Sequence, residues 1–313
     1  LSDKTPWPER LIVSLIKLLP VLNMMEFVGS NPQFRQFKVD ELLFAEFNCP
    51  PDKLPVSSWW QHNFFAFVFS GETVLKTPRG QYSLKAGDCA FSKRGTVLVT
   101  DHSNGEFCEL LVFVPDEFIR SVIKKYNLPL IQQGEEQGSD TLIPLEADEV
   151  LQAYSQSLLA YFNQSTPPPP SLLKLKFEEL IVNILTNNNH AALRTYFSSL
   201  ANSAKPSIRE IMEANFFTNL SLEQFAKLCA RSLSAFKQEF KNLYQTTPGK
   251  WLQEKRLQYA LRLLETTDYT VEEICMETGF ENRSHFIRVF KNRFGLPPGR
   301  MKTQMRTSQL NFA

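Results

Sequence analysis

Two segments near the end of the chain place polar side chains on one helical face, opposite an aromatic stripe. Guanidinium and carboxamide groups suit the edges of guanine and adenine in the major groove, whereas a lysine ammonium suits a phosphate. The residues expected to read bases are Ser234, Lys237, Gln238, Arg283, Ser284 and Arg288. The residues expected to contact phosphates are Lys241, Lys291, Asn292, Arg293, Arg300 and Lys302. Two helix hairpins with solvated outer faces are the structural alternative.

Charge is unevenly distributed along the chain. Its 313 residues hold 34 lysines and arginines against 33 aspartates and glutamates, a formal net charge of +1. Before residue 205 there are 17 basic and 22 acidic residues, and from residue 205 onward 17 and 11, so the net charges are −5 and +6. Clustered cations release condensed counterions when they bind nucleic acid. The C-terminal third is therefore expected to bind a polyanion such as nucleic acid, although a solvated basic surface would have the same composition.

The two polar faces belong to an internal duplication. A shift of 50 residues superposes Ser234, Phe236, Phe240, Lys241, Asn242, Pro248 and Gly249 on Ser284, Phe286, Phe290, Lys291, Asn292, Pro298 and Gly299. Each copy reads as a helix, a short turn and a second helix, which predicts helix-turn-helix units at about 222–244 and 271–294. In the second copy, Gly279 stands where the turn needs a positive φ.

A single helix over 249–265 is predicted between the two units. At 1.5 Å per residue it would be about 25 Å long, whereas successive major grooves lie about 34 Å apart in straight B-DNA. The difference predicts either bent DNA or one loosely engaged unit. Capping boxes that begin at Ser207, Ser221 and Thr270 mark helix starts, so residues 205–313 are expected to form an all-α domain.

The stretch from Leu222 to Lys302 resembles the DNA-binding domain of the AraC/XylS transcription regulators. The matching positions are Ala226, Phe236, Phe240, Pro248, Trp251, Leu252, Arg256, Leu257, Ala260, Leu263, Leu264, Thr267, Ile274, Gly279, Phe280, Ser284, Phe286, Phe290, Lys291, Phe294, Gly295, Pro297 and Pro298. Cys275 departs from the usual alanine, and Pro297 from a common serine. The resemblance implies a bacterial transcription factor that grips promoter DNA and often touches RNA polymerase, and it favours an activator.

Residues 26–115 alternate apolar runs with turn residues, which predicts an antiparallel β-barrel or sandwich. The spacings Leu84-x-x-Gly87-Asp88 and Phe91-x-x-Arg94-Gly95 resemble the cupin-like barrels that precede AraC-type domains. Segments 71–100 and 174–185 resemble ExsA-like regulators, whose control runs through a partner protein. The expected architecture is α+β and multidomain, with a cupin-like sensor barrel and a C-terminal all-α domain. Residues 1–25 are expected to be an extension outside the functional fold.

Residues 116–200 are predicted to form a helical connector. Apolar residues recur at helical spacing over 146–162 and 172–185, with a polyproline stretch between them. These helices could cover the open face of the barrel or pack against the same helices of a second chain. We predict the second arrangement, a homodimer, because dyad-related dimers are the commonest assembly. Its interface residues would be Phe177, Leu180, Ile181 and Ile184.

An aromatic cluster in the barrel could line a pocket for an effector. Its members are Trp59, Trp60, His62, Phe65 and Phe67, which could equally be core residues. The effector would be a small molecule or a regulatory protein.

A different function, a cupin-type metal enzyme or metal sensor, needs two or three histidines with a converging carboxylate. The barrel offers only His62 and His102, with Asp101, Glu106 and Glu109, and no closely spaced histidine pair. Neither a metal site nor another cofactor nor a catalytic residue is expected.

The five cysteines are odd in number, scattered and never spaced C-x-x-C, so no disulfide framework is predicted and a reducing cytoplasm fits. The apolar run from Leu11 to Leu22 is interrupted by Lys17 and Pro20 and is too short to span a bilayer. No membrane association is expected.

Overall fold

The structure is a computed structural model, which describes residues 22–30, 34–49, 56–77, 80–102, 107–131, 140–203 and 205–310. These residues form two compact units, divided between Glu210 and Ile211. The first contains an antiparallel sheet structure and helices, and the second is helical. Residues 1–21 of the predicted extension over 1–25 lie outside the described residues.

The described part of the first unit contains eleven strands and one short helix in addition to its main helices. The strands are β1 (Leu22–Asn23), β2 (Arg35–Val39), β3 (Leu42–Cys49), β4 (Val56–Trp60), β5 (Asn63–Ser70), β6 (Glu72–Lys76), β7 (Gln81–Lys85), β8 (Cys89–Ser92), β9 (Gly95–His102), β10 (Phe107–Val114) and β11 (Leu142–Leu145). They form a five-stranded sheet in the order β1-β4-β9-β6-β7 and a six-stranded sheet in the order β11-β8-β5-β10-β3-β2. Every pairing is antiparallel except β1 with β4, which is parallel.

Residues 22–25 are part of this fold, which corrects the predicted boundary of the N-terminal extension. Leu22 and Asn23 pair with Ser58 and Trp59, and helix α1 (Met24–Ser30) follows directly. Met24 is buried in the core between the two sheets. The sequence did not predict this strand, because two residues are too few to show the alternation of a β-strand.

Both faces of the six-stranded sheet are buried. Side chains alternate between these faces along each strand. In β5, Phe64 and Ala66 join Trp60 in an inner core between the sheets. Phe65 and Phe67 point to the opposite face and join an outer core shared with the helices. The six-stranded sheet therefore forms the middle layer of the unit.

The outer core is covered by helices from the same chain. They are α2 (Asp116–Tyr126), α3 (Glu149–Phe162), α4 (Pro170–Thr186) and α5 (Ala191–Asn202). The ring of Phe177 in α4 lies 3.9 Å from that of Phe44 in β3, between centroids. Leu180, Ile181 and Ile184 are fully buried in this layer. The four predicted interface residues thus pack against the chain's own sheet. The apolar face that suggested an interface with a second chain is therefore buried within this chain. A homodimer stays a prediction.

The second unit is built from helices α6 (Ile208–Asn215), α7 (Leu222–Leu228), α8 (Leu233–Tyr244), α9 (Pro248–Thr266), α10 (Val271–Glu277), α11 (Arg283–Phe294) and α12 (Pro298–Leu310), the first of which begins just before the boundary. The capping boxes begin α7 and α10 as the sequence indicates: Ser221 and Gln224 cap each other's backbone, as do Thr270 and Glu273. Ser207 accepts a hydrogen bond from the backbone N–H of Glu210 at 3.3 Å.

The turns inside the two repeats have the same hydrogen-bond pattern. In the first, Arg231 N–H donates to the carbonyl of Ala226, and in the second, Phe280 N–H donates to that of Cys275. The residue before each donor has a positive φ, 52° at Ala230 and 76° at Gly279. The duplication is therefore structural as well as sequential, and it fixes the crossing of α7 with α8 and of α10 with α11.

Candidate nucleic-acid interface

Helix α8 presents its polar face to solvent because its aromatic stripe is buried. Phe236 and Phe240 are fully buried. The helix begins at the cap Ser232, whose hydroxyl accepts from the N–H of Ala235. It ends at Gln245, with φ 55° and its N–H donating to the carbonyl of Lys241. The predicted contact residues Ser234, Lys237, Gln238 and Lys241 are all exposed. Leu243 follows Phe236 by seven residues, a helical spacing that predicts burial on the same stripe, but it is 46% exposed.

Helix α11 repeats this arrangement. Asn282 caps its first turn by accepting from the N–H of His285 at 2.9 Å, and Gly295 ends it with φ 83°. Phe286 and Phe290 are fully buried. The exposed candidates on the helix are Arg283, Ser284, Arg288, Lys291 and Asn292, and Arg300 is exposed on α12. Each repeat therefore presents donors and cations on the outer face of its second helix.

Two of the predicted phosphate contacts have intramolecular partners. Arg293 forms an ion pair with Glu254 of α9, with its Nε 2.9 and 3.0 Å from the two carboxylate oxygens. Lys302 donates to the backbone carbonyl of Tyr269. Arg293 follows Ser284 by nine residues, which is two and a half helical turns at about 100° per residue, so the two side chains lie on opposite sides of the helix. It therefore points toward α9 and away from the stripe of Ser284, Arg288 and Lys291.

Aromatic rings join α8 to α9. The ring of Tyr244 lies 4.6 Å from Phe240 and 5.4 Å from Trp251, between centroids. Trp251 lies in the first turn of α9, which extends from Pro248 to Thr266 and is 19 residues long. At 1.5 Å per residue, α9 is roughly 28 Å long. A rigid rod thus separates the two repeats.

Arg256 in the middle of α9 was not singled out for a role by the sequence. Its Nε and Nη2 donate to the carbonyls of Phe216 and Thr218, both at 2.7 Å. Burial lowers the pKa of Arg256 to about 10. The guanidinium satisfies carbonyls in the loop after α6, so it ties that loop to α9. The sequence signal that could have indicated a role for Arg256 is its place among the positions that match the AraC/XylS domain.

The aromatic residues predicted to line a pocket are not brought together. Trp60 lies in the inner core, whereas Phe65 and Phe67 lie in the outer core on the other side of the six-stranded sheet. Trp59 is buried and His62 is half-buried. A cavity of about 220 Å³ lies instead between the end of β5, the turn before β8 and the first turns of α3. Phe67 is the one predicted residue that lines it.

The residues considered for a metal site are only partly described. The side chains of Asp101, His102 and Glu106 lie outside the described part of the chain. Among the side chains that the structure describes, no group of three histidine, cysteine or carboxylate residues could hold a metal ion. Burial lowers the pKa of His62 below its usual value and raises that of Glu109 to about 8.

Comparison with known proteins identifies both units. The helix-turn-helix domain family matches residues 225–304, and the ExsA N-terminal regulatory domain family matches residues 63–196. The chain contains an AraC-type helix-turn-helix domain and an ExsA-type N-terminal domain. The first unit contains the match to the ExsA N-terminal regulatory domain, and we refer to it as the regulatory domain; the second contains the helix-turn-helix match, and we refer to it as the DNA-binding domain. The proteins it is related to are transcription regulators and not enzymes.

AraC-family relatives align with most of the chain. The thermoregulatory protein LcrF of Yersinia pestis is 26% identical over 237 residues, which cover 75% of this chain and 87% of LcrF. The transcriptional regulator ExsA of Pseudomonas aeruginosa is 24% identical over 237 residues, which cover 75% of this chain and 84% of ExsA. A crystal structure of apo ToxT from Vibrio cholerae aligns with 87% of this chain and all of that chain, at 12% identity and a TM-score of 0.42. Within the described residues, every helix is too short or too polar to cross a bilayer.

Proposed function

We propose that this AraC-family chain activates transcription by placing α8 and α11 in successive major grooves of promoter DNA. The observation that carries the proposal is the repetition of one exposed polar face on two capped helices, 50 residues apart. In this arrangement Ser234, Lys237 and Gln238 read bases in the first half-site. Arg283, Ser284 and Arg288 read bases in the second.

Phosphates are contacted by cations at the margins of these faces. The proposed contacts are Lys241, Lys291, Asn292 and Arg300, which are exposed. Arg293 and Lys302 also donate to intramolecular partners, Glu254 and the carbonyl of Tyr269, and their phosphate contacts stay a prediction. Each phosphate contact by a cation releases counterions, so affinity falls as salt increases.

Selection of bound sequences tests the proposal. The purified full chain is mixed with random-sequence duplexes, and the retained duplexes are sequenced. Two conserved half-sites about one helical turn apart are expected. Recovery of sequences without any common motif, together with affinity that does not change with salt, would overturn both base reading and the polyanion contacts. A single half-site would confine base reading to one helix.

The regulatory domain is proposed to sense an effector, either a small molecule or a regulatory protein. Its two-sheet architecture is compatible with a cupin-like barrel. The cavity of about 220 Å³ beside α3 offers room for a small effector, with apolar walls from Phe67 and Leu151 and amides from Gln152 and Gln156. A change in operator affinity when a candidate effector is added to the full chain would identify it.

A homodimer is proposed through the outward faces of α3 and α4. Val150 in α3 is 54% exposed and Leu175 in α4 is 55% exposed, which leaves apolar surface on these helices after the core is formed. An activator of this kind works in the cytoplasm and contacts RNA polymerase at the promoter. Transcription in vitro with purified polymerase, with and without the chain, distinguishes activation from repression.

A cupin-type metal function is the second candidate, and the histidines of the regulatory domain are its only support. Metal analysis of the purified full chain decides it. Stoichiometric iron, manganese or zinc would revive this candidate.

A further inference from the structure

The second recognition helix is joined to α9 by an ion pair. Arg293 of α11 contacts both carboxylate oxygens of Glu254 through Nε, and its Nη2 lies 2.9 Å from one of them. A guanidinium that meets a carboxylate through two nitrogens has a fixed orientation as well as an attraction. The pair therefore restrains the angle between the two helices near the C-terminal end of α11.

Glu254 is itself held in place. Gln258, one turn further along α9, donates from Nε2 to Oε1 of Glu254 at 2.9 Å. Hydrogen bonds from Arg293 and charge attraction lower the pKa of Glu254 below its usual value. The carboxylate thus remains charged at neutral pH and cannot rotate freely.

The first copy uses different chemistry at the equivalent place. Fifty residues before Arg293 stands Leu243, which is 46% exposed. There the end of α8 is joined to α9 by the ring contacts among Phe240, Tyr244 and Trp251. Aromatic packing has no ion pair for salt to screen, whereas an ion pair with exposed fractions of 49% and 39% is screened by salt.

We propose that Glu254 is a positioning residue, which through Arg293 sets the orientation of α11 and thereby the recognition of the second half-site. This role rests on the proposed function, since it requires α11 to read DNA. Recognition of the first half-site does not depend on the pair. Discrimination at the second half-site consequently weakens with increasing salt, in addition to the general loss of phosphate attraction.

The test uses the full chain and duplexes from the sequence selection, with either the first or the second half-site scrambled. The variants are Glu254→Gln, Arg293→Gln and the doubly substituted chain Glu254→Arg with Arg293→Glu, which exchanges the charges. The matched control is Glu239→Gln, which breaks the 2.8 Å ion pair with Arg231 beside the first recognition helix. Circular dichroism and thermal unfolding confirm that each variant is folded.

Scrambling the second half-site should weaken the binding of the wild type by some factor. For each single variant that factor should be about 3–10 times smaller, a difference of about 0.7–1.4 kcal/mol in binding free energy. Scrambling the first half-site should cost all variants the same. The charge exchange should restore the wild-type response, and Glu239→Gln should retain it. A folded Glu254→Gln variant with the wild-type response, or a charge exchange that restores nothing, would overturn the positioning role. A wild-type chain that is indifferent to scrambling of the second half-site would instead remove base reading by α11.

Discussion

A Cβ atom on Gly279 would lie 2.6 Å from the carbonyl oxygen of Phe217. Gly279 also has a φ of 76°, a conformation that other residues rarely adopt. The turn of the second repeat and the loop after α6 therefore meet backbone to backbone, and Arg256 holds the same loop through its neighbours Phe216 and Thr218. Only glycine permits this approach.

Gly279→Ala should lower the free energy of unfolding of the DNA-binding domain by about 1–3 kcal/mol, from left-handed strain and the close contact together. Ala230 is the matched position in the first repeat, with a φ of 52°. Ala230→Gly should raise stability by roughly 0.5 kcal/mol, because glycine removes the left-handed strain. Urea unfolding followed by circular dichroism measures both. Equal stability of Gly279→Ala and the wild type would refute the contact.

Arg288 and Lys291 lie on the same outward stripe of α11 but should act differently on DNA. Arg288→Ala should cost about 1–3 kcal/mol on the selected site and little on unrelated duplexes, because a guanidinium fork reads guanine. Lys291→Ala should weaken binding to all duplexes alike and reduce the salt slope by about one. A panel of single-base operator variants is the measurement. A uniform loss for Arg288→Ala across that panel would make it a phosphate contact.

The same contrast is expected in the first repeat between Gln238, which suits adenine, and Lys241. Gln238→Ala should relax specificity at one base pair, and Lys241→Ala should not. The two pairs of substitutions together locate each helix on its half-site.

A buried polar cluster joins the sheets to the helical layer of the regulatory domain. The carboxylate of Asp116 accepts from Nδ2 of Asn63 at 2.7 Å and forms an ion pair with Arg94. The hydroxyl of Tyr196 in α5 donates to Oδ1 of Asn63 at 2.9 Å. Asp116 and Arg94 are only 2% and 7% exposed, so each depends on the other for compensation of its charge.

Asp116→Asn should therefore destabilise the regulatory domain by about 3–5 kcal/mol, since it leaves the Arg94 charge buried without its partner. Tyr196→Phe should cost only about 0.5–1.5 kcal/mol, because Oδ1 of Asn63 still accepts from the N–H of Arg94. Chemical denaturation of the full chain compares the two variants. Similar losses for both would show that the ion pair carries little of the stability.

The sequence predicted local features well because their signals are local. Capping residues such as Ser221 and Thr270, and the repeated Phe236 and Phe286, determine helix starts and buried stripes within a few residues. Alternation along β5 places Phe64 and Phe65 on opposite faces of the sheet, but it does not show which of them meets Trp60, which lies on another strand. The nine-residue separation of Ser284 and Arg293 likewise places them on opposite sides of the helix.

The sequence could not show which surface covers an apolar stripe. Periodicity indicates that Leu180 is buried, but burial against the same chain and against a second chain produce the same pattern. The cluster of Asn63, Arg94, Asp116 and Tyr196 was equally hidden, because its members come from distant segments that only the tertiary fold brings together.

The burial of Leu180 changes the expected effect of charge on the connector. Leu180→Glu should unfold the regulatory domain, because the carboxylate would be buried among apolar side chains. Leu175→Glu should leave the fold intact and weaken self-association, since Leu175 is 55% exposed. Sedimentation at micromolar concentrations, with thermal unfolding in parallel, checks both. A wild-type chain that is monomeric with and without DNA would dismiss the dimer.

His190 makes the stability of the regulatory domain depend on pH. It is 4% exposed in the corner between α4 and α5, and neither ring nitrogen has a hydrogen-bond partner in the described structure. Burial lowers the pKa of His190 below its usual 6.5, although Asp148 and Glu146 act in the opposite direction. The unfolded chain therefore takes up a proton at a higher pH than the folded chain does. Stability is complete above about pH 6.5 and is lost as the pH falls toward the folded-state pKa.

His190→Leu should remove this contribution, so its free energy of unfolding should decline less than that of the wild type between pH 7.5 and about pH 5.5. The matched control is His285→Asn, because His285 is exposed on α11 and its loss should leave the pH profile of the regulatory domain unchanged. His62 contributes a decline of the same sign, since burial also lowers its pKa, so some pH dependence should persist in His190→Leu. Denaturant unfolding at each pH supplies the comparison. A decline in His190→Leu as steep as in the wild type would assign the pH dependence to other groups.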